Sequence, residues 1–440
     1  MPIQMKYSVY IHIPFCTHRC AYCDFNTYAG QEAAIPAYVE ALGREIEFVG
    51  ARAPDRIKIH TVFFGGGTPS LLSPDQLQTV LAAIRRNFDV EEDAEITIEA
   101  NPGTVSLGVL KQMRALGINR ISFGAQSANG EELRMLERTH TFLDVLKAVS
   151  AARRAGFDNL NLDVIYGLPG QQVATWKTTM RRVLELRPEH VSAYALTLEH
   201  GTPFGRWATR GMLPIPDPDT AAEMYEWAGE CLESDGYQQY EISNWARTGG
   251  GVKPHAGGQE SGKWEQPAFA CLHNLQYWRC LPYLGFGAGA HGYASGFRYS
   301  NVLRIATFIE RISAAADGEN QLGVRDRQLR EDRREGGGLH TFPMSPATVN
   351  QHRQTPGDDM SEFMITGLRL TREGVRPAEF RERFGRDLMD MYGGEIKELL
   401  HLGLLESVEH ESSEVARATG LLRLTKRGRL LGNQVFLRFV

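Results

Sequence analysis

Short apolar runs rich in β-branched residues alternate with amphipathic stretches of helical period from residue 7 to about residue 200. The predicted strands are residues 7–13, 61–64, 95–100, 120–125, 161–166 and 191–198. Each has a helix candidate before or after it. Strands that alternate with helices predict a parallel sheet with right-handed crossovers. Six such units fit either a doubly wound sheet or an incomplete barrel, and periodicity alone does not choose between them.

The rest of the chain departs from this rhythm. Polar stretches without periodicity, rich in glycine or charge, occur at residues 249–269 and 323–357 and predict surface insertions or disorder. From residue 358, helix patterns precede a short strand and an apolar run, an order that resembles a winged-helix domain. A chain of 440 residues is long enough for two or three domains. The expected parts are residues 1–205, 206–322, 323–357 and 358–440.

Three cysteines lie close together near the start of the chain: Cys16, Cys20 and Cys23, in the run IPFCTHRCAYCDF. Three thiolates cannot fill all four iron corners of a [4Fe–4S] cluster, so such a loop would leave one iron open to a small molecule. Structural zinc usually takes four ligands from two Cys/His pairs, and no second pair is nearby. Inert buried thiols are a further alternative, but the neighbours His18 and Arg19 indicate a polar loop. The spacing therefore favours a cluster.

Composition excludes several classes of function. The net charge of −5 at pH 7 indicates no general attraction to nucleic acid, so no nucleic-acid partner is expected. The other cysteines, at positions 231, 271 and 280, do not form a disulfide pattern, and free thiols fit a reducing compartment. The N-terminus enters a strand without the apolar core of a signal peptide, and no stretch is apolar enough to span a bilayer. We expect a cytoplasmic protein.

The CxxxCxxC loop resembles that of the radical S-adenosylmethionine (SAM) enzymes. The wider run YIHIPFC, residues 10–16, resembles the branch that contains the oxygen-independent coproporphyrinogen III oxidase and its relatives, the heme chaperones. The resemblance implies an α/β fold with a partial (β/α)6 barrel, cofactors at the carboxyl ends of its strands, and a C-terminal winged-helix-like domain. It also implies a [4Fe–4S] cluster whose open iron chelates SAM and whose electron releases a deoxyadenosyl radical.

A glycine turn, GGGTP at residues 65–69, follows the second predicted strand. Glycines at a strand end allow close approach of the backbone to a ligand, although a tight turn between strand and helix would look the same. The turn matches the GGTP motif of the family. The resemblance therefore makes Gly66, Gly67 and Thr68 SAM-binding residues.

Further candidates lie at strand ends. Glu99 ends the third predicted strand, where a carboxylate can accept hydrogen bonds from ribose hydroxyls or can simply be solvated. By resemblance, Glu99 and Gln126 bind SAM. Arg138 and Asp163 match positions that contact a second SAM in the oxidase, although Asp163 could instead cap the following turn.

Two tyrosines lie near the cysteines, Tyr10 before the loop and Tyr22 within it. Their rings can pack on the adenine of SAM and keep water from the cluster. Core packing is the alternative, because aromatic residues in α/β proteins are often buried. We include both as candidate cofactor-binding residues.

A second diagnostic run, CLHNLQYWRC at residues 271–280, contains His273. A neutral imidazole is a natural axial ligand for heme iron, and the two aromatic rings can pack on a porphyrin. Taken alone, such a histidine is more often a satisfied core or surface residue. The HNxxYW segment matches one linked to heme binding in the chaperone branch, so the resemblance implies that His273 binds heme. Covalent attachment by the usual CxxCH route is excluded because that motif is absent.

Two departures from the oxidase pattern favour a heme chaperone. The oxidase loop typically runs CxxxCxxCxC, and Phe25 stands where the extra cysteine would be. The oxidase also carries a longer arm before the residue that matches Tyr10. We expect a chaperone that passes heme to apo-hemoproteins, with membrane-bound respiratory enzymes as candidate recipients. The alternative is an oxidase that decarboxylates coproporphyrinogen III, an activity that we do not expect here.

Other partners and classes follow from the same resemblance. An electron donor for the cluster is expected, whereas a homodimer and peripheral association with a membrane are left open. A transcriptional sensor that combines an iron–sulfur switch with a winged helix ranks last. It needs a basic face, and the C-terminal segment has only a few clustered charges such as Lys426 and Arg427.

Overall fold

The computed structural model describes residues 6–249, 266–322, 342–408 and 420–440, with the helical backbone alone for 316–322. The chain divides into two units, each built from three segments. The first unit comprises Met1–Asp163, Leu196–Ile215 and Pro282–Arg353. The second comprises Val164–Ala195, Pro216–Leu281 and Gln354–Val440.

Strands and helices alternate through the first two hundred residues, as predicted. The strands are β1 (Tyr7–Ile13), β2 (Phe15–Cys16), β3 (Tyr28–Ala29), β4 (Lys58–Gly66), β5 (Asp89–Ala100), β6 (Arg120–Gln126), β7 (Leu160–Tyr166), β8 (His190–Ala195), β9 (Tyr237–Glu241), β10 (Asn244–Arg247), β11 (Tyr283–Phe286), β12 (His291–Ala294), β13 (Phe297–Asn301), β14 (Thr348–Arg353), β15 (Leu405–Val408) and β16 (Leu421–Leu424). The α-helices are α1 (Ile35–Gly50), α2 (Pro74–Asn87), α3 (Leu107–Ala115), α4 (Gly130–Met135), α5 (Phe142–Arg154), α6 (Val173–Glu185), α7 (Pro203–Thr209), α8 (Pro218–Ser234), α9 (Leu272–Trp278), α10 (Ile305–Leu322), α11 (Pro356–Gly367), α12 (Pro377–Phe384), α13 (Leu388–His401), α14 (Lys426–Leu430) and α15 (Gly432–Phe436).

The sheet of the first unit is mixed. Strands β1, β4, β5 and β6 are parallel neighbours in that order, which confirms the predicted parallel arrangement. On the other side of β1, β11 is parallel, and β12, β13 and β14 continue the sheet in antiparallel pairs. Strand β1 therefore has a partner on both sides, and its Val9, Ile11 and Ile13 are fully buried. Interior parallel strands are apolar in this way because both faces of the sheet are covered.

Helix α2 begins at a capping box formed by Ser73 and Gln76. The Ser73 side chain accepts a hydrogen bond from the N–H of Gln76 at 3.3 Å, and the Gln76 side chain accepts one from the N–H of Ser73 at 2.8 Å. Pro74 occupies the first turn, where a missing N–H has no consequence. This capping box fixes the point at which the chain leaves the glycine turn after β4.

The second unit contains three strands in antiparallel pairs and a helical region. Strand β10 pairs antiparallel with both β8 and β9. Helices α11, α12 and α13 and the antiparallel pair β15 and β16 share an apolar core that includes Phe363, Phe380, Leu399 and Leu424. Helices precede the strand β16, as predicted for residues 358–440, and β15 is an additional strand.

One part of the predicted insertions needs correction. Residues 250–265 and 323–341 lie outside the described residues, so the expectation for them is not tested. Residues Thr348–Arg353 form β14, paired antiparallel with β13, so of the two alternatives for this stretch disorder is wrong there. The strand lacks an apolar pattern because nearly all of its side chains are exposed at the sheet edge. The four-part domain division stays a prediction.

None of the helices in the described ranges is long and apolar enough to cross a membrane.

Candidate functional site

The predicted site residues of the first unit gather around the carboxyl ends of its parallel strands. The cysteine loop follows β1, the glycine turn ends β4, Glu99 lies in β5, and Gln126 ends β6. Parallel strands end at the same edge of a sheet, so residues far apart in sequence meet there. His273 is the one predicted site residue in the second unit.

The three cysteines share one short loop. Cys16 ends β2, which pairs with β3 and brings the two ends of the loop together. The N–H of Cys23 donates to the carbonyl of Cys20 at 3.1 Å, which forms a turn between them. Burial raises the pKa of the Cys16 thiol, and the nearby charges of Cys23 and Cys20 raise it further. The three sulfurs therefore lie close enough to act on one another electrostatically.

The surroundings of the loop fit an iron–sulfur cluster. Across the part of the chain that the structure describes, no three His, Cys, Asp or Glu residues converge on a single metal ion. That finding concerns a mononuclear site, whereas the cysteines of a cubane cluster each bind a different iron. Thiolates are the donors that such a cluster requires. The backbone at Gly67 comes so close that an added Cβ would lie 3.0 Å from Cys16 Sγ.

Hydrogen bonds connect the glycine turn to the cysteine loop. The N–H of Gly67 donates to the carbonyl of Ile13 at 2.8 Å, and the N–H of Thr68 donates to the carbonyl of Phe15 at 2.8 Å. The Thr68 hydroxyl lies 3.6 Å from Cys16 Sγ and donates to it. The turn is therefore bonded to the loop through both backbone and side chain.

Glu99 is bonded to the same glycine turn. The N–H of Gly66 donates to Glu99 Oε2 at 3.0 Å. Gly66 has φ +110°, and an added Cβ would lie 2.5 Å from His12 Cε1, so glycine is required there. Burial, followed by the charge of Asp163, raises the pKa of Glu99 to about 8. This carboxyl group is therefore mostly protonated at neutral pH.

His12 is a site residue that sequence reasoning missed. It follows Tyr10 on the same face of β1, and its Nδ1 lies 3.0 Å from the Tyr10 hydroxyl. Its Nε2 lies 2.9 Å from the carbonyl oxygen of Asn26, which can only accept. Nε2 therefore carries the proton, and the Tyr10 hydroxyl donates to Nδ1. Burial lowers the pKa of His12, in agreement with a neutral ring.

The end of β6 brings Gln126 and Arg138 together. Gln126 has φ +63°, which is uncommon for a residue other than glycine. An added Cβ on Gly124 would lie 2.6 Å from Gln126 Nε2 and 3.3 Å from Arg138 Nη2. Arg138 donates from Nη2 to the carbonyl of Gly124 at 3.2 Å and from Nη1 to Cys20 Sγ at 3.5 Å. Arg138 thus contacts the cysteine loop directly.

The two other first-unit candidates occupy defined positions. Asp163 accepts hydrogen bonds from Ser122 Oγ at 2.8 Å and Asn161 Nδ2 at 2.7 Å. The ring of Tyr22 packs against Phe204, with ring centres 6.4 Å apart. Burial raises the pKa of Tyr22, and the neighbouring Arg138 charge opposes the rise. Ser122 and Asn161 carried no sequence signal of their own.

His273 lies in α9 of the second unit and is 1% exposed. Its Nε2 is 2.8 Å from the Tyr277 hydroxyl, and the two rings are nearly perpendicular with centres 4.9 Å apart. The N–H of Cys271, just before the helix, donates to the Tyr240 hydroxyl at 3.3 Å. In this arrangement the imidazole has the environment of a packed core histidine, the alternative that the sequence left open.

Two family models match the chain. Residues 10–183 match the model of the radical SAM superfamily, and residues 354–412 match that of the HemN C-terminal domain. The matched ranges contain the cysteine loop with the parallel strands, and part of the C-terminal helical region, respectively.

Curated relatives match over nearly the whole chain. Heme chaperone HemW of Bacillus subtilis is 35% identical over 98% of this chain and 99% of its own length. Heme chaperone HemW of Lactococcus lactis is 33% identical over 100% of this chain and 98% of its own. Heme chaperone HemW of Escherichia coli is 40% identical over 65% of this chain and 69% of its own.

A solved structure supports the fold. The coproporphyrinogen III oxidase HemN of Escherichia coli, described as a radical SAM enzyme, superposes with a TM-score of 0.74 over 99% of this chain and 90% of its own. Sequence identity is 23%, so the likeness concerns the fold alone. It confirms the radical SAM type of α/β fold that the cysteine motif predicts.

Proposed function

The chain belongs to the family of the heme chaperone HemW, within the radical SAM superfamily, and on that premise we propose that it binds heme and passes it to apo-hemoproteins. Similarity along the full length of curated HemW proteins carries this proposal. Phe25 supports it, because an exposed phenylalanine stands where the oxidase pattern has a further cysteine.

The cluster and SAM belong to the same proposal. Cys16, Cys20 and Cys23 would hold a [4Fe–4S] cluster, which would supply one-electron chemistry toward SAM. The hydrogen bonds of Gly67 and Thr68 hold the glycine turn against the loop and leave a glycine edge for the amino-acid part of SAM. The further residues assigned to SAM are Tyr10, Tyr22, Gly66, Glu99, Gln126, Arg138 and Asp163.

Glu99 and Tyr10 have distinct tasks in this proposal. Glu99 Oε2 is oriented by the Gly66 N–H, so the carboxyl group is directed before a ribose arrives. Because the Tyr10 hydroxyl is engaged by His12, the ring rather than the hydroxyl is available to a cofactor. A ring held in this way packs on adenine at little cost in side-chain entropy.

Heme is the molecule that the protein transfers, and we propose that His273 binds the heme iron. The imidazole is buried and its Nε2 is engaged by Tyr277, so heme uptake must separate these two side chains. Tyr277→Phe keeps the ring packing and removes the hydroxyl. A lost hydrogen bond of about 1 kcal/mol corresponds to about fivefold tighter heme binding in that variant.

Heme titration of anaerobically reconstituted protein, followed by absorption in the Soret region, tests the assignment. His273→Ala is expected to weaken binding by at least about tenfold. His401→Ala removes an exposed histidine at the end of α13 and should bind like the wild type. Failure of the wild-type protein to take up heme would refute the chaperone proposal. Equal affinity of His273→Ala would refute only the assigned ligand.

The oxidase alternative is tested in the same preparation. Incubation with coproporphyrinogen III, SAM and a reductant should yield no protoporphyrinogen IX, and formation of that product would establish the competing activity.

As recipients we propose membrane-bound respiratory enzymes, which the protein reaches by peripheral contact with the membrane. We also propose that a separate protein is the electron donor. A cytoplasmic location and a homodimer stay predictions.

A further inference from the structure

Arg138 is held at the cysteine loop by several contacts. Its guanidinium donates to Cys20 Sγ at 3.5 Å and to the carbonyl of Gly124 at 3.2 Å. Its backbone is fixed as well, because its N–H donates to the carbonyl of Leu133 in α4 at 2.9 Å. The guanidinium is therefore positioned before any cofactor binds.

The preceding residue strengthens this placement. Glu137 has φ +54°, a left-handed conformation that is uncommon outside glycine. Glu137 Oε2 lies 3.5 Å from Nε2 of His18, which belongs to the cysteine loop. Two successive residues, Glu137 and Arg138, thus contact the loop at His18 and at Cys20.

We propose that Arg138 is a positioning residue for the Cys20 sulfur, and that its hydrogen bond to this sulfur raises the reduction potential of the cluster. The inference rests on the cluster proposed above and deepens it. A donor and a positive charge at a ligand sulfur stabilise the additional electron of the reduced cluster. Because Arg138 is half-buried, water and salt screen its positive charge less than they screen a charge on the surface.

The geometry of the guanidinium explains why arginine is suited to this position. The carbonyl of Gly124 accepts from Nη2 of the same planar fork, and this orients Nη1 toward the sulfur. A lysine ammonium lacks the fork and cannot satisfy these acceptors in the same plane. Lysine is therefore expected to keep the charge and lose the alignment.

A redox titration monitored by electron paramagnetic resonance tests the proposal. Dithionite is the one-electron reductant, and iron and sulfide content checks loading. Arg138→Met and Arg138→Gln remove the charge, and both should shift the midpoint potential in the negative direction. Arg138→Lys should give a smaller negative shift. Arg134→Met removes an exposed positive charge of α4 that is paired with Glu131, and it should leave the potential unchanged.

The outcomes separate this inference from the function on which it rests. A wild-type protein that loads no iron would refute the cluster itself. Loaded Arg138→Met or Arg138→Gln with the wild-type potential, or an equal shift in Arg134→Met, would overturn the role of Arg138. If neither neutral variant loads, Arg138→Lys decides, and an unchanged potential in that variant overturns the proposal. Weaker SAM binding at an unchanged potential would leave Arg138 with its proposed contact to SAM alone and would overturn its role at the Cys20 sulfur.

Discussion

Gly67 is the residue at which the glycine turn comes closest to the cysteine loop. An added Cβ would lie 2.6 Å from the carbonyl oxygen of Phe15 and 2.9 Å from that of Ile13. These are backbone atoms, so they cannot move aside as the end of a flexible side chain can. Gly67→Ala is expected to destabilise the fold by about 2 kcal/mol and to reduce iron loading. Urea unfolding and iron analysis under anaerobic conditions measure both effects.

Gly43→Ala is the matched control for this substitution. Gly43 lies inside α1, and an added Cβ there would meet no atom within 4 Å. Alanine in a helix interior is favoured over glycine by about 0.8–1.0 kcal/mol, so this variant should be more stable than the wild type. Equal stability and equal iron content in the two variants would contradict the close approach at Gly67.

From the raised pKa of Glu99 we expect that SAM binding releases a proton. The pKa of Glu99 is raised to about 8, so the group is mostly protonated at neutral pH. A sulfonium cation nearby favours the carboxylate and lowers this pKa, and binding then releases a proton. SAM affinity should therefore rise as pH increases from about 7 to about 8. Calorimetry in two buffers with different ionisation enthalpies measures the released proton.

Glu99→Gln tests the origin of that proton. The amide oxygen can still accept the Gly66 N–H, but the side chain no longer titrates. We expect weaker SAM binding without proton release, whereas Glu92→Gln, an exposed site on the same strand, should behave as the wild type. Unchanged proton release in Glu99→Gln would assign the coupling to another group.

At the scale of elements, the cap of α2 connects local sequence to the position of the glycine turn. Ser73→Ala removes the hydroxyl that accepts the N–H of Gln76, and it should lower the free energy of unfolding by about 1 kcal/mol. Thermal or urea unfolding measures this loss. Thr79→Ala is the control, because the Thr79 hydroxyl only donates to the carbonyl of Asp75 one turn earlier in the same helix. An equal loss in both variants would argue against a specific role of the cap.

Strand ends are the elements that periodicity describes least well. The third predicted strand begins at residue 95, whereas β5 begins at Asp89 and passes through a largely exposed acidic stretch. The sixth is predicted to end at residue 198, whereas β8 ends at Ala195, where the last side chains are exposed. Backbone pairing can continue where side chains have lost the apolar pattern, so the sequence signal and the strand end at different residues.

At the scale of the whole molecule, one buried carboxylate joins distant parts of the first unit. Glu45 in α1 accepts hydrogen bonds from the N–H of Gly287, from Asn301 Nδ2 and from Ser345 Oγ, each at 2.7 Å. Tyr38, also in α1, donates to the carbonyl of His12 at 2.8 Å. The helix thereby connects the late segment of the unit to the strand that precedes the cysteine loop.

From the raised pKa of Glu45 we expect the free energy of unfolding to depend on pH. Burial raises its pKa from the ordinary value near 4.5 to about 7. The folded state therefore holds this proton more tightly than the unfolded state. The contribution is fully present below pH 4.5 and is lost as pH rises to about 7, by at most about 1.4 kcal/mol per pH unit. Urea unfolding between pH 4.5 and 8 measures the slope.

Glu45→Gln should flatten this slope because the amide does not titrate. It is also expected to lower stability by about 1–2 kcal/mol, since its NH2 group faces hydrogen-bond donors. Glu40→Gln, at an exposed position of the same helix, should retain the wild-type slope. A wild-type slope in Glu45→Gln would show that another group carries the dependence.

The sequence by itself determined the local elements and the neighbourhood of the site. Strand β1 and helix α12 follow from periodicity and proline placement, which act over a few residues. The meeting of the cysteine loop with the glycine turn follows from topology, because parallel strands end at one edge.

Only the tertiary structure decided which side chains are partners. Arg138 and Cys20 are 118 residues apart, and Glu45 and Ser345 are 300 residues apart. His12 gave no signal beyond its position in the motif, yet it joins Tyr10 to the backbone of Asn26. Such contacts depend on how strands, turns and helices pack against one another, and a one-dimensional pattern of apolar and polar residues does not encode that packing.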